Sequence, residues 1–185
     1  MNDKKSITSI LETERLLLRE YVEDDAESFY RLNSDPEVLR FTGDDPVVTA
    51  EQARTILRNY PMKDYRVHGF GRWACVLRSD GEVIGFAGLK YLPETGEIDL
   101  GYRLLPTHWG QGFATEACHA VVGYGFETLK LAEITALVRP ENSASVRVLE
   151  KCGLTFTEVI QYRGQRVARY AIRPAANTSF ESSAL

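Results

Sequence analysis

The amino-acid sequence predicts one α/β domain built around a mixed, mainly antiparallel sheet. Three observations carry this. Strand-like runs at Arg72–Arg78, Glu82–Tyr91 and Glu97–Leu104 follow one another across the turn-forming segments Ser79-Asp80-Gly81 and Pro93–Gly96, the pattern of an antiparallel meander. The period then changes. From Phe113 to Lys130, Ala114, Ala117, Val121 and Tyr124 form one row and Cys118, Val122, Gly125 and Leu129 the next, a broad apolar stripe at helical spacing. At 185 residues the chain has room for one sizeable core, and a second domain would be cramped.

Before the meander, Arg15–Glu20 gives a first strand, and Asp24 and Asp25 open a helix that carries Ala26, Phe29, Tyr30 and Leu32. Pro36, Gly43 and Pro46 mark an irregular stretch, after which Ala53, Ile56, Leu57 and Tyr60 predict a helix over Ala50–Tyr60. Beyond the long helix, Glu133–Val138 is a nearly continuous apolar strand. Asn142–Cys152 is a short helix stopped by Gly153, and Leu154–Gln161 and Arg166–Arg173 are closing strands. The total is about seven strands flanked by about four helices. Gly123 and Gly125 each cost roughly 1 kcal/mol inside the long helix, so close packing or an early helix end must compensate. Residues 1–11 and 174–185 are expected as flexible ends around a domain spanning 12–173.

A net charge of -4 argues against a protein whose main partner is the nucleic-acid backbone. Cys75, Cys118 and Cys152 are odd in number and widely spaced, which suggests neither a disulfide framework nor a zinc site. His68, His108 and His119 form no ligand pattern, so no metal is expected. No apolar run approaches the ~20 residues of a membrane span, and the start has no secretory pattern. These features predict a cytoplasmic protein with no membrane and no nucleic-acid partner.

The most informative segment is Trp109-Gly110-Gln111-Gly112-Phe113-Ala114-Thr115-Glu116-Ala117, set between a strand and the long helix. Gly110 and Gly112 permit positive φ and leave the backbone bare, so consecutive N–H groups can converge on an anion, and the helix N-terminus adds its partial positive charge. A dinucleotide fingerprint would need Gly or Ala at Thr115, and a P-loop would need Gly-Lys-Ser/Thr; neither is present. On the loop alone, an anion cradle and a glycine turn that merely allows close packing stand level.

The neighbouring motifs separate them. The loop follows Gly101-Tyr102-Arg103-Leu104-Leu105-Pro106 and precedes Arg139-Pro140-Glu141-Asn142-Ser143-Ala144-Ser145 and Val148-Leu149-Glu150-Lys151-Cys152-Gly153-Leu154. With Glu14–Arg19 and Asn33–Val38, this series resembles the GNAT superfamily of N-acetyltransferases, and within it the RimJ/RimL branch that acetylates ribosomal-protein amino termini. The resemblance covers roughly Glu12 to Arg173. It implies a GNAT-like fold and acetyl-CoA as the donor. Gly110 to Thr115 and Trp109 would hold the pyrophosphate, Trp109 replacing the usual Gln or Arg. The backbone of Leu104 would pair with the pantetheine arm and an N–H near it would meet the oxyanion, while Asn142 and Ser145 would face the arm's far end. Asn142 also suits the N-cap of its helix, and the two roles are compatible.

Acetyl transfer from a thioester needs a neutral amine, a stabilised oxyanion and a proton for the leaving thiolate. Alternation along Glu97–Leu104 puts Glu97, Asp99, Gly101 and Arg103 on one face. Asp99 is the first candidate for general base, directly or through water, and Glu97 the second. Exposed strand carboxylates are more often only solvated or ion-paired. Many superfamily members protonate the thiolate with a tyrosine whose place is taken here by Leu149, which leaves Ser145 as the nearest hydroxyl by resemblance. Cys152 is expected to be a poor nucleophile, its pKa raised at a helix C-terminus, and Cys75 and Cys118 read as core. For the acceptor, the resemblance points to Phe41–Val48, Phe70, Trp73 and Tyr162, with core packing as the plain alternative for the first two aromatics.

The expected acceptor is a protein N-terminus, with amino acids, polyamines or aminoglycosides as alternatives. A domain that binds acetyl-CoA as a sensor or interaction module without turnover is the competing class. Monomer and homodimer stand equal.

Overall fold

The computed structural model describes residues 9–174. Eight strands form one sheet: β1 (Ser9–Glu12), β2 (Leu16–Arg19), β3 (Arg72–Leu77), β4 (Val83–Leu92), β5 (Glu97–Leu104), β6 (Ile134–Val138), β7 (Thr155–Tyr162) and β8 (Gln165–Ile172). Their order is β1-β2-β3-β4-β5-β6-β8-β7. Every neighbouring pair is antiparallel except β5 with β6. Six helices accompany them: α1 (Ala26–Ser34), α2 (Pro36–Leu39), α3 (Ala50–Asn59), α4 (Pro61–His68), α5 (Phe113–Glu127) and α6 (Ser143–Lys151). No helix among the described residues is long and apolar enough to cross a membrane.

The predicted meander is present, and β5 has the expected bounds. Three elements were not anticipated. β1 begins inside the segment expected to be flexible and pairs with β2 from Ser9 onward; residues 1–8 and 175–185 lie outside the described residues. α2 starts at Pro36 behind an Asp35 cap that accepts from Glu37 N at 2.9 Å. α4 starts at Pro61 and ends at Gly69, whose φ of +76° suits a left-handed C-cap. Both prolines occupy the first helical turn, where no N–H is needed.

The two sheet faces carry different covers. On one, Leu16, Leu18, Cys75, Ile84, Leu89 and Leu100 pack with Ala117, Cys118 and Val121 of α5 and Leu149 of α6. On the other, Ala74, Val76 and Val83 pack with Phe29 of α1 and Ala53 and Leu57 of α3. Gly125 resolves the cost noted above: a Cβ there would lie 2.6 Å from Ile134 Cδ1, so its absence lets α5 sit close on β6.

This division corrects two expectations. Trp73 is 1% exposed and meets Tyr124 of α5 edge to face, with ring centroids 5.3 Å apart. Alternation along β3 puts it on the α5 face, away from the face covered by α1 and α3. Phe70 is also buried in the α5-side core, beneath the tilted ring of His68. Both aromatics are core residues. Trp73→Ala is expected to lower the unfolding free energy by about 3–5 kcal/mol, read by urea denaturation. A raised acceptor KM with unchanged stability would instead restore Trp73 to a substrate pocket.

Candidate active site

The site is built where β5 and β6 part. Their parallel pairing is confined to Asp99↔Thr135. One residue pair further along β6, the Leu137 N–H donates to Asp99 Oδ1 at 3.0 Å. Thr135 Oγ1 donates to the Ile98 carbonyl at 3.2 Å and closes the base of the fork. Toward Leu104 the strands diverge. Because Leu105 N donates to Ile84 O at 2.9 Å and Gly85 faces Leu104, antiparallel alternation turns the main-chain groups of Tyr102 and Leu104 away from β4 and into the gap.

Trp109 has a defined part at the open end. Its indole Nε1 donates to the Leu104 carbonyl at 2.7 Å. The residue that replaces the usual Gln or Arg thus ties the glycine loop to β5, and the Leu104 N–H faces the gap. Gly110 and Gly112 adopt φ of +72° and +84°, and Gly112 is the N-cap of α5. Among the described residues, no protein acceptor meets the N–H groups from Gly110 to Thr115; the first α5 donor to find one is Glu116, which bonds the Gly112 carbonyl at 3.0 Å. An unmet row of donors at a helix N-terminus fits a phosphate-bearing ligand.

Arg15, which the sequence reading passed over, braces this loop. It donates to Gln111 O at 2.9 Å and to Glu116 Oε2 at 2.7 Å, and its guanidinium lies 4.3 Å from the centre of the Phe113 ring. Glu116 also accepts from Thr13 Oγ1 at 2.6 Å, so the β1–β2 turn and the loop are fastened together. The pairing of an arginine in one motif with a glutamate 101 residues away left no local signal.

Asp99 is 8% exposed. Arg72 Nη2 donates to its Oδ2 at 2.5 Å while Nη1 reaches Gly88 O at 2.9 Å. Burial raises the Asp99 pKa above the usual carboxylate range, against the opposing pulls of Arg72 and the Leu137 N–H. Lys90, directly across from Asp99 on β4, has its pKa lowered by burial and by the nearby Arg72. Glu97 is placed differently. It lies on the closed side of the fork, held by Arg169 Nε at 2.7 Å, and Arg169 also grips Glu133.

On the α6 side, Asn142 Oδ1 caps the helix by accepting from Ser145 N at 3.1 Å. Tyr102 O–H donates to Ser145 Oγ at 3.0 Å, crossing from β5 to α6. Leu149, where the tyrosine was absent, is buried in the core. Cys152 is buried with its Sγ 3.7 Å from Thr115 O, and the neighbouring Cys118 thiol lowers its pKa, the reverse of the direction expected from the helix end alone.

The other rim lies on the α1–α4 side. Tyr162 stands there on the β7–β8 hairpin with its hydroxyl 3.4 Å from Glu94 Oε2, beside Arg163, which pairs with Glu94 at 2.6 Å. Arg103 binds Asn33 Oδ1 at 2.8 Å and pairs with Asp44. Gly43 touches the Gln165 amide so closely that a Cβ there would overlap it.

An α/β sheet forked between two parallel strands thus carries a bare N–H row at the mouth of the fork. The acetyltransferase (GNAT) domain family matches residues 15–155, most of the chain. The chain belongs to the GNAT family and is an acetyl-CoA-dependent N-acyltransferase. It is 36% identical over 163 residues to the uncharacterized N-acetyltransferase YoaA of Bacillus subtilis, covering 87% of this chain and 92% of that one. It is 34% identical over 163 residues to the FsC-acetyl coenzyme A-N(2)-transacetylase of Aspergillus fumigatus, covering 80% of this chain and 66% of that protein. The crystal structure of an acetyltransferase from Agrobacterium tumefaciens superposes with a TM-score of 0.79 at 27% identity, over 94% of this chain and 99% of the other.

Gly112→Val is expected to weaken acetyl-CoA binding at least tenfold by calorimetry, because a β-branched residue at φ +84° costs on the order of 1–3 kcal/mol and reshapes the N–H row. Unchanged affinity would place the phosphates elsewhere.

Proposed function

We propose that this enzyme transfers acetyl directly to the primary amine of a slim acceptor, first among them a protein N-terminus, in the cytoplasm. The observation that carries the reading is a continuous open edge. The main chain at Tyr102 and Leu104 runs into the N–H row from Gly110 to Thr115, and Asp99 closes the inner end. The N–H row suits the pyrophosphate, and the coenzyme, once bound, supplies the activated acetyl thioester. The free N–H of Leu104 is the donor for the oxyanion.

Asp99 accepts the amine proton through water. Its two oxygens each hold one donor and keep a lone pair, and its raised pKa brings it nearer to the working pH than an ordinary aspartate. Glu97 is tied to Arg169 and stabilises the closed side of the fork. Ser145 faces the departing sulfur. Trp109 and Gln111 act by shaping the loop, through bonds to Leu104 O and Thr107 O.

The acceptor enters from the rim formed by Asp44, Gln165 and Tyr162. Contact between Gly43 and Gln165 narrows that rim, which favours an extended peptide end or a linear amine over an aminoglycoside. The RimJ/RimL-like motifs in the sequence favour the peptide end.

The test is acetyl transfer read by mass across N-terminal peptides, amino acids, polyamines and aminoglycosides. Mass gain on peptides first supports the reading; gain only on aminoglycosides overturns it, and tight coenzyme binding with no product on any acceptor favours the sensor. The pH profile adds a second check. Asp99 works only when deprotonated, so kcat should rise as pH climbs through its elevated pKa and flatten above it. Asp99→Asn should erase that limb and lower kcat by about 100-fold or more while coenzyme binding persists. A wild-type rate would remove Asp99 from the mechanism.

A further inference from the structure

We infer that Tyr102 is a positioning residue for the leaving group: it fixes the Ser145 hydroxyl so that its hydrogen points at the sulfur released in the reaction. The inference rests on the acyl-transfer reading above and goes past it by giving a role to a residue on β5.

The hydroxyl pair lies toward the open end of the fork. The bonds at its base, from Leu137 and Thr135, join β6 to Asp99 and Ile98. Further out, Tyr102–Ser145 is a side-chain pair that reaches from β5 across to α6. Alternation on β5 sends Tyr102 to the α5–α6 face and Asp99 to the opposite one. The group that takes the amine proton and the group that meets sulfur thus stand on opposite faces of one strand, three residues apart in sequence. The loop that suits the pyrophosphate opens α5, which packs on the Tyr102 face, so the sulfur remains tethered on that side.

Hydrogen-bond direction completes the argument. Tyr102 donates to Ser145 Oγ, and Asn142 Oδ1 holds the Ser145 N–H at 3.1 Å. A hydroxyl has one hydrogen and two lone pairs. With one lone pair filled by Tyr102, the serine's own hydrogen is left to donate elsewhere. Burial pushes the Tyr102 phenol up to about 12, so it keeps the hydrogen that this bond needs across the working range.

In the transfer, the amine nitrogen forms a bond to the acetyl carbon, the C–S bond breaks and its electron pair stays on sulfur. The amine proton goes to Asp99 through water. Ser145 donates a hydrogen bond to the thiolate, which takes a proton from solvent on release. This assignment supplies what Leu149 cannot: the donor is Ser145 on α6, oriented by Tyr102 on β5.

Tyr102→Phe retains the ring. It should lower kcat about tenfold, the worth of one hydrogen bond of ~1.4 kcal/mol, with the acetyl-CoA KM little changed. The double variant Tyr102→Phe, Ser145→Ala should be no slower than Ser145→Ala alone, since the first change acts through the second residue. Additive losses would show two independent effects and overturn the inference.

A second measurement needs no acceptor. The thiol of bound CoA, titrated by the ultraviolet absorbance of its thiolate, should have a lower pKa on the wild-type protein than in solution. That pKa should rise in Tyr102→Phe and Ser145→Ala. An equal pKa in all three overturns the role even where acetyl transfer is intact. The shift together with transfer only to small amines keeps the role and refutes the peptide assignment alone.

Discussion

The parting of β5 from β6 at Asp99 is the constraint on which the rest of the site depends. Parallel strands satisfy one another along their length, and a pair that separates leaves two rows of main-chain donors and acceptors with nothing to bond. Here the separation is enforced by a side chain. The Asp99 carboxylate takes the Leu137 N–H, so the edge of β6 ends in a carboxylate and β5 runs on with the groups at Tyr102 and Leu104 facing the gap. Trp109 then occupies the Leu104 carbonyl and draws the glycine loop to the same opening. Site and fork are one feature.

Keeping a carboxylate at that point requires a cation, and the sheet makes room for one with glycine. Gly88 and Gly101 face each other across β4 and β5, and a Cβ on Gly101 would fall 2.0 Å from Arg72 Nη1. The guanidinium occupies the space that a Gly101 side chain would fill, bonding Gly88 O and Asp99 together, while bare Gly88 lets β4 sit close on the Gly71 backbone. A buried carboxylate deprived of such a partner costs several kcal/mol. The compensation is incomplete, since burial still outweighs Arg72 and the pKa stays raised. That imbalance is what favours Asp99 over a purely structural ion pair in the proposed role, and Glu97, two residues away, is gripped by Arg169 on the closed side.

How much of this was legible in the sequence depended on whether the signal was local. The glycine loop, the long helix and the limits of β5 were legible because residue type and period fix them. α4 was missed because Pro61 reads as a breaker and is in fact the first helical residue. For Trp73 the resemblance points to a substrate pocket and core packing is the alternative; the core reading holds, and period-two alternation along β3, which separates Arg72 from Trp73 and Cys75, already favours it. Arg15, Arg72 and Arg103 carried no signal, since their partners Glu116, Asp99 and Asp44 are far away in the chain and each arginine alone reads as solvated.

The alternation of β5 also organises the chemistry in a way that a description of single residues hides. Its α1–α4 face presents Asp99 and Arg103, both bound to charged partners, and it borders the rim where Asp44, Gln165 and Tyr162 meet. Its other face presents Leu100, Tyr102 and Leu104, apolar but for one hydroxyl directed at α6. A charged amine approaching from the first side must lose a proton; a thiolate departing on the second must be solvated by something. On the proposed mechanism, charge is therefore concentrated where a proton is removed, and a neutral donor pair stands where negative charge develops. A strand pleat that repeats every second residue is enough to keep the two tasks apart, because neither group can reach the other's side.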